Sequence, residues 1–164
     1  MSVPPAPPIP CQLATTDEGL VSTSPSTITA LLRDALNQGE RLRLSNYLHP
    51  DVHWHNPHGQ GAHYHGRTQV LACYARLHAR GTRTAVEETF TYPQAVVLGL
   101  RAHPAADAAP TPTAEGLLLY QVFHIADGLI THIDGFSDRY TALDAAYADF
   151  TRPPHRHRPR EGDR

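Results

Sequence analysis

The stretch His53–Gly66, HWHNPHGQGAHYHG, puts five of the chain's twelve histidines, a tryptophan and a tyrosine into fourteen residues. Imidazoles at i and i+2 of a strand lie on one face and can share a metal ion. His53 and His55 therefore form a candidate pair, and His58, His63 or His65 could add the third nitrogen of a catalytic zinc site. Further along, HIADGLITHIDGFSD offers Asp134 as an acid–base candidate, and His132 as one if a bulge shifts the register. The amides Asn56 and Gln121 can hold a substrate oxygen, and the Tyr74 hydroxyl can donate to the same group.

Composition narrows the chemistry. A chain of 164 residues with 40% apolar and 18% charged side chains suits a globular domain with an ordinary core. Its 14 basic groups against 16 acidic ones give no broad attraction to nucleic acid or to a membrane surface. Every basic residue is arginine, so no lysine is present to form a Schiff base. There is no glycine-rich phosphate loop, which argues against nucleotide chemistry. The two cysteines, Cys11 and Cys73, support neither a disulfide framework nor a four-cysteine metal site, and Cys73 reads as packing. The opening MSVPPAPPIP lacks the basic and apolar regions of a secretion signal, so a cytoplasmic location is expected.

The elements that must position these groups follow from periodicity. Residues 1–25 read as a disordered Pro/Ser/Thr-rich leader, 151–164 as a disordered Arg/His/Pro tail, and 103–114 as a long loop. The domain proper is expected over 26–150. Ile28, Leu31, Leu32, Ala35 and Leu36 mark a helix over 26–38, capped by Ser24 or Ser26 and closed by Gly39. A short helix over 40–48 follows, then a strand stopped by Pro57. HGQGAHYHG reads as a loop, and Val70, Cys73, Tyr74 and Leu77 mark a helix over 67–80. Strands are expected near 83–91, 94–102, 115–126 and 129–137, the last two joined at Asp127-Gly128. The last helix, 139–149, is expected to present Tyr140, Leu143, Tyr147 and Phe150. This is an α+β order.

With ALNQGERLRLSNYLHPDVHWHNP, HGRTQVLACYARL and HIADGLITHIDGFSD in place, the chain resembles the nuclear-transport-factor-2-like superfamily over about residues 26–149. Within it, the similarity is to SnoaL-like polyketide cyclases and ketosteroid isomerases. The resemblance implies a conical barrel, a curved mixed and mainly antiparallel sheet wrapped around a long N-terminal helix, often as a homodimer. It also shows what is missing. The isomerase base before the strand-ending Pro is matched by Asn56, and its oxyanion-hole tyrosine and aspartate fall at Leu32 and Gln121. A pocket tyrosine on the third helix is matched by Tyr74. The cyclase acid–base aspartate falls at Gly135, one residue from Asp134, and one residue reverses the face of a strand.

If Asn56 faces the pocket as the resemblance implies, Trp54 faces it too, and His53 and His55 point away. His124 and His132 should also face outward. Asp134 becomes catalytic only if a bulge near Gly135 turns it inward, where burial would raise its pKa. The expected catalytic set is Asn56, Gln121, Tyr74 and Asp134. Trp54, Leu32, Phe123, Ile133 and Gly135 line the cavity, and His63, Tyr64 and His65 form its rim. No metal and no cofactor are expected, and Asp138 is expected to cap the last helix. The expected function is cofactor-free cyclisation, isomerisation or hydration of an apolar oxygenated metabolite, polyketide- or terpenoid-like. A non-catalytic binding protein of the same fold is the alternative, and a metal-dependent variant using the histidines is the third.

Overall fold

In the computed structural model, which describes residues 23–56, 62–103 and 116–151, Ser24 starts the first helix. Its side chain accepts a hydrogen bond from the Thr27 backbone N–H at 3.2 Å. The helix, α1, runs Pro25–Gln38 and ends at Gly39, whose φ of 72° lies in the left-handed region. That geometry satisfies the last carbonyls and suits glycine. A single 3-10 helix, Arg41–Asn46, stands where a short helix is predicted. It leads into β1 (Leu48–Asn56), β2 (Ala62–His65) and α2 (Arg67–Ala79). Four strands follow, β3 (Arg83–Thr91), β4 (Ala95–His103), β5 (Leu117–Ala126) and β6 (Leu129–Phe136), and then α3 (Arg139–Thr151). The leader up to residue 22, the loop 104–114 and the tail from 152 lie outside the described residues.

The six strands form one sheet in the order β2-β1-β6-β5-β4-β3. All neighbours are antiparallel except β1 and β6, which run parallel. The sheet is open, with β2 and β3 at its edges, so the cone is curved but not a closed barrel. HGQGAHYHG corrects the loop expectation: Ala62–His65 pairs with β1 as an edge strand, His53 opposite His65 and His55 opposite His63. Period-two alternation of His, Tyr and His was the signal for it.

The helices divide between the two faces. Ile28, Leu32 and Leu36 of α1 and Val70, Cys73 and Tyr74 of α2 join Val52, Trp54, Val96, Leu98, Phe123 and Ile133 in the main core on the inner face. Arg67 ties α2 to β1 by donating from Nε at 3.0 Å and Nη2 at 2.6 Å to the Leu48 carbonyl. Asn37 ties α1 to the β3 edge, its Oδ1 accepting the Val86 N–H at 2.8 Å beside a bulge in β3. On the outer face α3 packs Ala142 and Ala146 on Ala95, Val97, Tyr120 and Val122, with Phe90, Tyr92, Leu118, Phe136 and Leu143 partly buried around them. Of the predicted apolar face of α3, Leu143 packs here as expected and the Phe150 side chain lies outside the described residues, but the two tyrosines are corrected. Tyr140 is 80% exposed and Tyr147 56% exposed, because small alanines allow the helix to sit close to the sheet.

A Cβ at Gly39 would sit 3.3 Å from the His78 ring and would occupy a left-handed backbone. Gly39→Ala is expected to lower unfolding free energy by about 1 kcal/mol in urea titration, and Gly39→Asn by less, because asparagine tolerates that region better. Equal losses for the two would show that crowding against His78, rather than φ, sets the cost.

Candidate functional site

Strand pleating sorts the chemistry-bearing side chains into two groups on opposite faces of the sheet. On β5, Gln121 and Phe123 face inward, opposite Gly135 and Ile133 of β6. Ile133 in turn lies beside Trp54 of β1. Leu32, Trp54, Phe123 and Ile133 are each 1% exposed and form an apolar wall. Burial then falls along the inner face of β5, from Phe123 through half-buried Gln121 and Leu119 to exposed Leu117. Among the described residues, exposure on the inner face of β5 thus rises away from the Asp127-Gly128 turn, towards Gln121 and the start of the strand.

At that more exposed end the polar groups meet. Tyr74 donates its hydroxyl to Gln121 Oε1 at 3.3 Å. Trp54 lies nearly flat on Tyr74, with ring centroids 4.7 Å apart and an interplanar angle of 21°, and leans on Tyr64 at 5.4 Å. The Arg76 guanidinium stands 5.7 Å from the Tyr64 ring centre. The Cys73 thiol beside Tyr64, together with burial, holds that phenol above its ordinary pKa, so it remains a neutral donor. Trp54, Tyr64, Tyr74 and Gln121 thus form one contiguous aromatic and amide layer, with Gly135 opposite Gln121 on β6. Asn56 ends β1 opposite Ala62, and its side chain lies outside the described residues.

The outer face holds a second cluster. His65, His53, His132 and His124 are successive register partners across β2, β1, β6 and β5, and His63, His55 and Asp134 form the next row. His53 stands 4.4 Å from His65 and 5.3 Å from His132 between ring centroids, and His55 stacks on His63 at 4.6 Å. His124 Nε2 lies 3.0 Å from Asp134 Oδ2, and His55 Nδ1 lies 4.0 Å from Asp134 Oδ1. His55, Asp134, Gly135, Phe136, Ser137, Asp138 and Thr141 border a shallow cleft of about 320 Å³ here. Asp138 caps α3, its Oδ1 accepting the Thr141 N–H at 2.9 Å. Among the described residues no three His, Cys, Asp or Glu side chains converge on a point that could hold a metal ion.

Asp134 is therefore not brought to Tyr74 and Gln121. The bulge in the β5–β6 ladder falls between His124 and Ile125, so Ile130 and Ile133 both point inward while Asp134 stays outside. The direction of its pKa follows: the hydrogen bond with His124 lowers it, partial burial opposes, and charge on His124, His132 and His55 lowers it further. His63 and His65 likewise lie on the outer face, while Tyr64 between them faces the interior layer. The outer cluster went unread in the sequence, although HxH, HYH and THID repeat at period two on three strands that become neighbours.

Because the folded-state pKa of Asp134 is lowered, its interaction stabilises the protein above the ordinary carboxylate pKa of about 4 and is lost as pH falls through the folded value. Asp134→Asn is expected to cost about 1 kcal/mol at pH 7, a half-exposed pair being worth little more, and nearly nothing well below pH 3. Urea unfolding at the two pH values measures this, and a pH-independent difference would contradict it.

The SnoaL-like domain model matches residues 28–133. No curated protein matches the chain in sequence. Solved structures do match in shape. A Catenulispora acidiphila protein with a ketosteroid isomerase-like fold, solved in complex with trimethylamine, is 19% identical, with 76% of this chain and 97% of that one covered at a TM-score of 0.55. A provisionally assigned polyketide cyclase from Pseudomonas putida is 18% identical, covering 74% and 97% at 0.55. Bal32a, from a soil-derived mobile gene cassette, is 14% identical, covering 75% and 95% at 0.60. At such identities these likenesses establish the fold alone. With the domain match spanning most of the sheet and both inner helices, the chain belongs to the SnoaL-like domain family.

Proposed function

We propose that the chain is a small-molecule enzyme of SnoaL-like type, carrying out cofactor-free cyclisation, isomerisation or hydration of an apolar, oxygenated, polyketide- or terpenoid-like metabolite. The observation that carries this reading is the Tyr74–Gln121 hydrogen bond set in an otherwise apolar interior. With Gln121 Oε1 accepting from Tyr74, the amide NH₂ is the group left to donate to a substrate oxygen. An amide held in this way is preorganised for a charge that grows on a carbonyl as it becomes an enolate. A proton flanked by two carbonyls, as in a polyketide chain, is acidic enough to pass to solvent water or hydroxide without a strong protein base. The apolar wall of Trp54, Leu32, Phe123 and Ile133 suits a flat or greasy framework, and Asn56 at the end of β1 is assigned to a second amide contact. The fold is known to accept small organic molecules, as the trimethylamine complex of one structural relative shows for that protein.

The outer half-face left uncovered by α3 is where this reading places a second copy of the chain, as a homodimer. No described helix is long and apolar enough to cross a membrane.

A non-catalytic binding protein is the second reading. It is favoured by the amide at Asn56 and by Gly135, which together leave the inner face without the carboxylates of the related enzymes. Product analysis after incubation with a panel of aromatic and alicyclic ketones separates the two: an enzyme returns a changed compound, a binding protein the same one. In the enzymatic case Gln121→Leu is expected to lower kcat/KM about 100-fold and Tyr74→Phe about 10-fold, while Asp134→Asn, on the far face, leaves it within about 2-fold. Full activity in Gln121→Leu would overturn the assignment.

A further inference from the structure

We propose that the indole N–H of Trp54 is a further hydrogen-bond donor of the interior site and selects ligands that present an acceptor oxygen on a flat apolar framework. This rests on the interior being the ligand site, as argued above.

Trp54 is 1% exposed, yet its Nε1 atom has no hydrogen-bond partner among the described residues. Buried donors are nearly always matched, and tyrosine and tryptophan bury their polar atoms only where a partner is to hand. The aromatic stack alone does not account for an indole, because a phenyl ring could lie on Tyr74 equally well. The unmatched N–H sits in the layer where ligand chemistry is expected. The Trp54 ring rests on Tyr74, whose hydroxyl reaches Gln121, and β6, which lies between β1 and β5, sets Ile133 beside Trp54 and Gly135 beside Gln121 on this face.

The chemistry of the donors fixes the ligand class. An indole N–H can donate and cannot accept, and the Gln121 NH₂ also only donates. A carbonyl, enolate or ether oxygen satisfies both. An ammonium ion satisfies neither and would leave two donors facing a cation. A hydrocarbon of the same shape fills the apolar wall but leaves the indole unmatched.

Trp54 is the chain's one tryptophan, so its indole gives a single side-chain N–H resonance in a ¹⁵N-labelled sample. Titration with 1-tetralone is expected to shift that proton downfield, and tetralin, which lacks the carbonyl, is expected not to. Replacing Trp54 biosynthetically by its benzothiophene analogue keeps the ring shape and removes the N–H. Tetralone should then bind about 10-fold more weakly, with tetralin affinity unchanged and the circular dichroism melt preserved. If tetralone perturbs the Gln121 side-chain amide but leaves the indole proton in place, the donor role falls and the interior site stands. If it perturbs neither, both fall. Unchanged tetralone affinity in the sulfur analogue also overturns the donor role.

Discussion

The parallel pairing of β1 with β6 is the constraint on which the rest of the molecule depends. It sets Trp54 beside Ile133 and His53 beside His132, and pleating then sends each residue of a pair to the same side. A shift of one residue in this register would put Trp54 into solvent and the histidines into the core. Burying uncompensated imidazoles would cost far more than the ladder returns, so the register is strongly specified. Arg67 reinforces it from outside the sheet by clamping the start of β1 through the Leu48 carbonyl.

From that register come two chemically distinct faces. The inner one is aromatic and amide-bearing, covered by α1 and α2, and graded from buried to exposed along β5. The outer one carries an ionised Asp134 among histidines and is only half covered by α3. A carboxylate held ionised by His124 is a poor general acid and lies on the wrong face to act as base for anything bound beside Gln121. On the proposed reading, catalysis in the interior would lean on hydrogen-bond donors and positioning, which would limit it to substrates that already bear acidic protons or reactive carbonyls.

Much of this was legible in the sequence. Helical spacing located α1 within a residue, and Asp127-Gly128 announced the hairpin: both residues have positive φ, as the tight turn requires. Alternation placed Trp54 inward and His53, His55, His124 and His132 outward. Three features were harder. β2 is four residues long and holds together through pairing with β1, a non-local effect that local composition hides. The packing face of α3 was only partly legible: Leu143 packs on the sheet as expected, but Tyr140 and Tyr147 outweigh Ala142 and Ala146 in any hydrophobicity count, whereas close approach favours the alanines. The histidine rows required knowing which strands are neighbours, and nothing along the chain announces that β1 lies beside β6.

The most direct test of the two-face account is a crystal structure with an aromatic ketone bound. Density on the inner face, with the ketone oxygen about 3 Å from Gln121 Nε2 and the ring plane against Trp54 and Phe123, is the predicted result. Density in the outer cleft beside His55 and Asp134, with the interior unchanged, would contradict it.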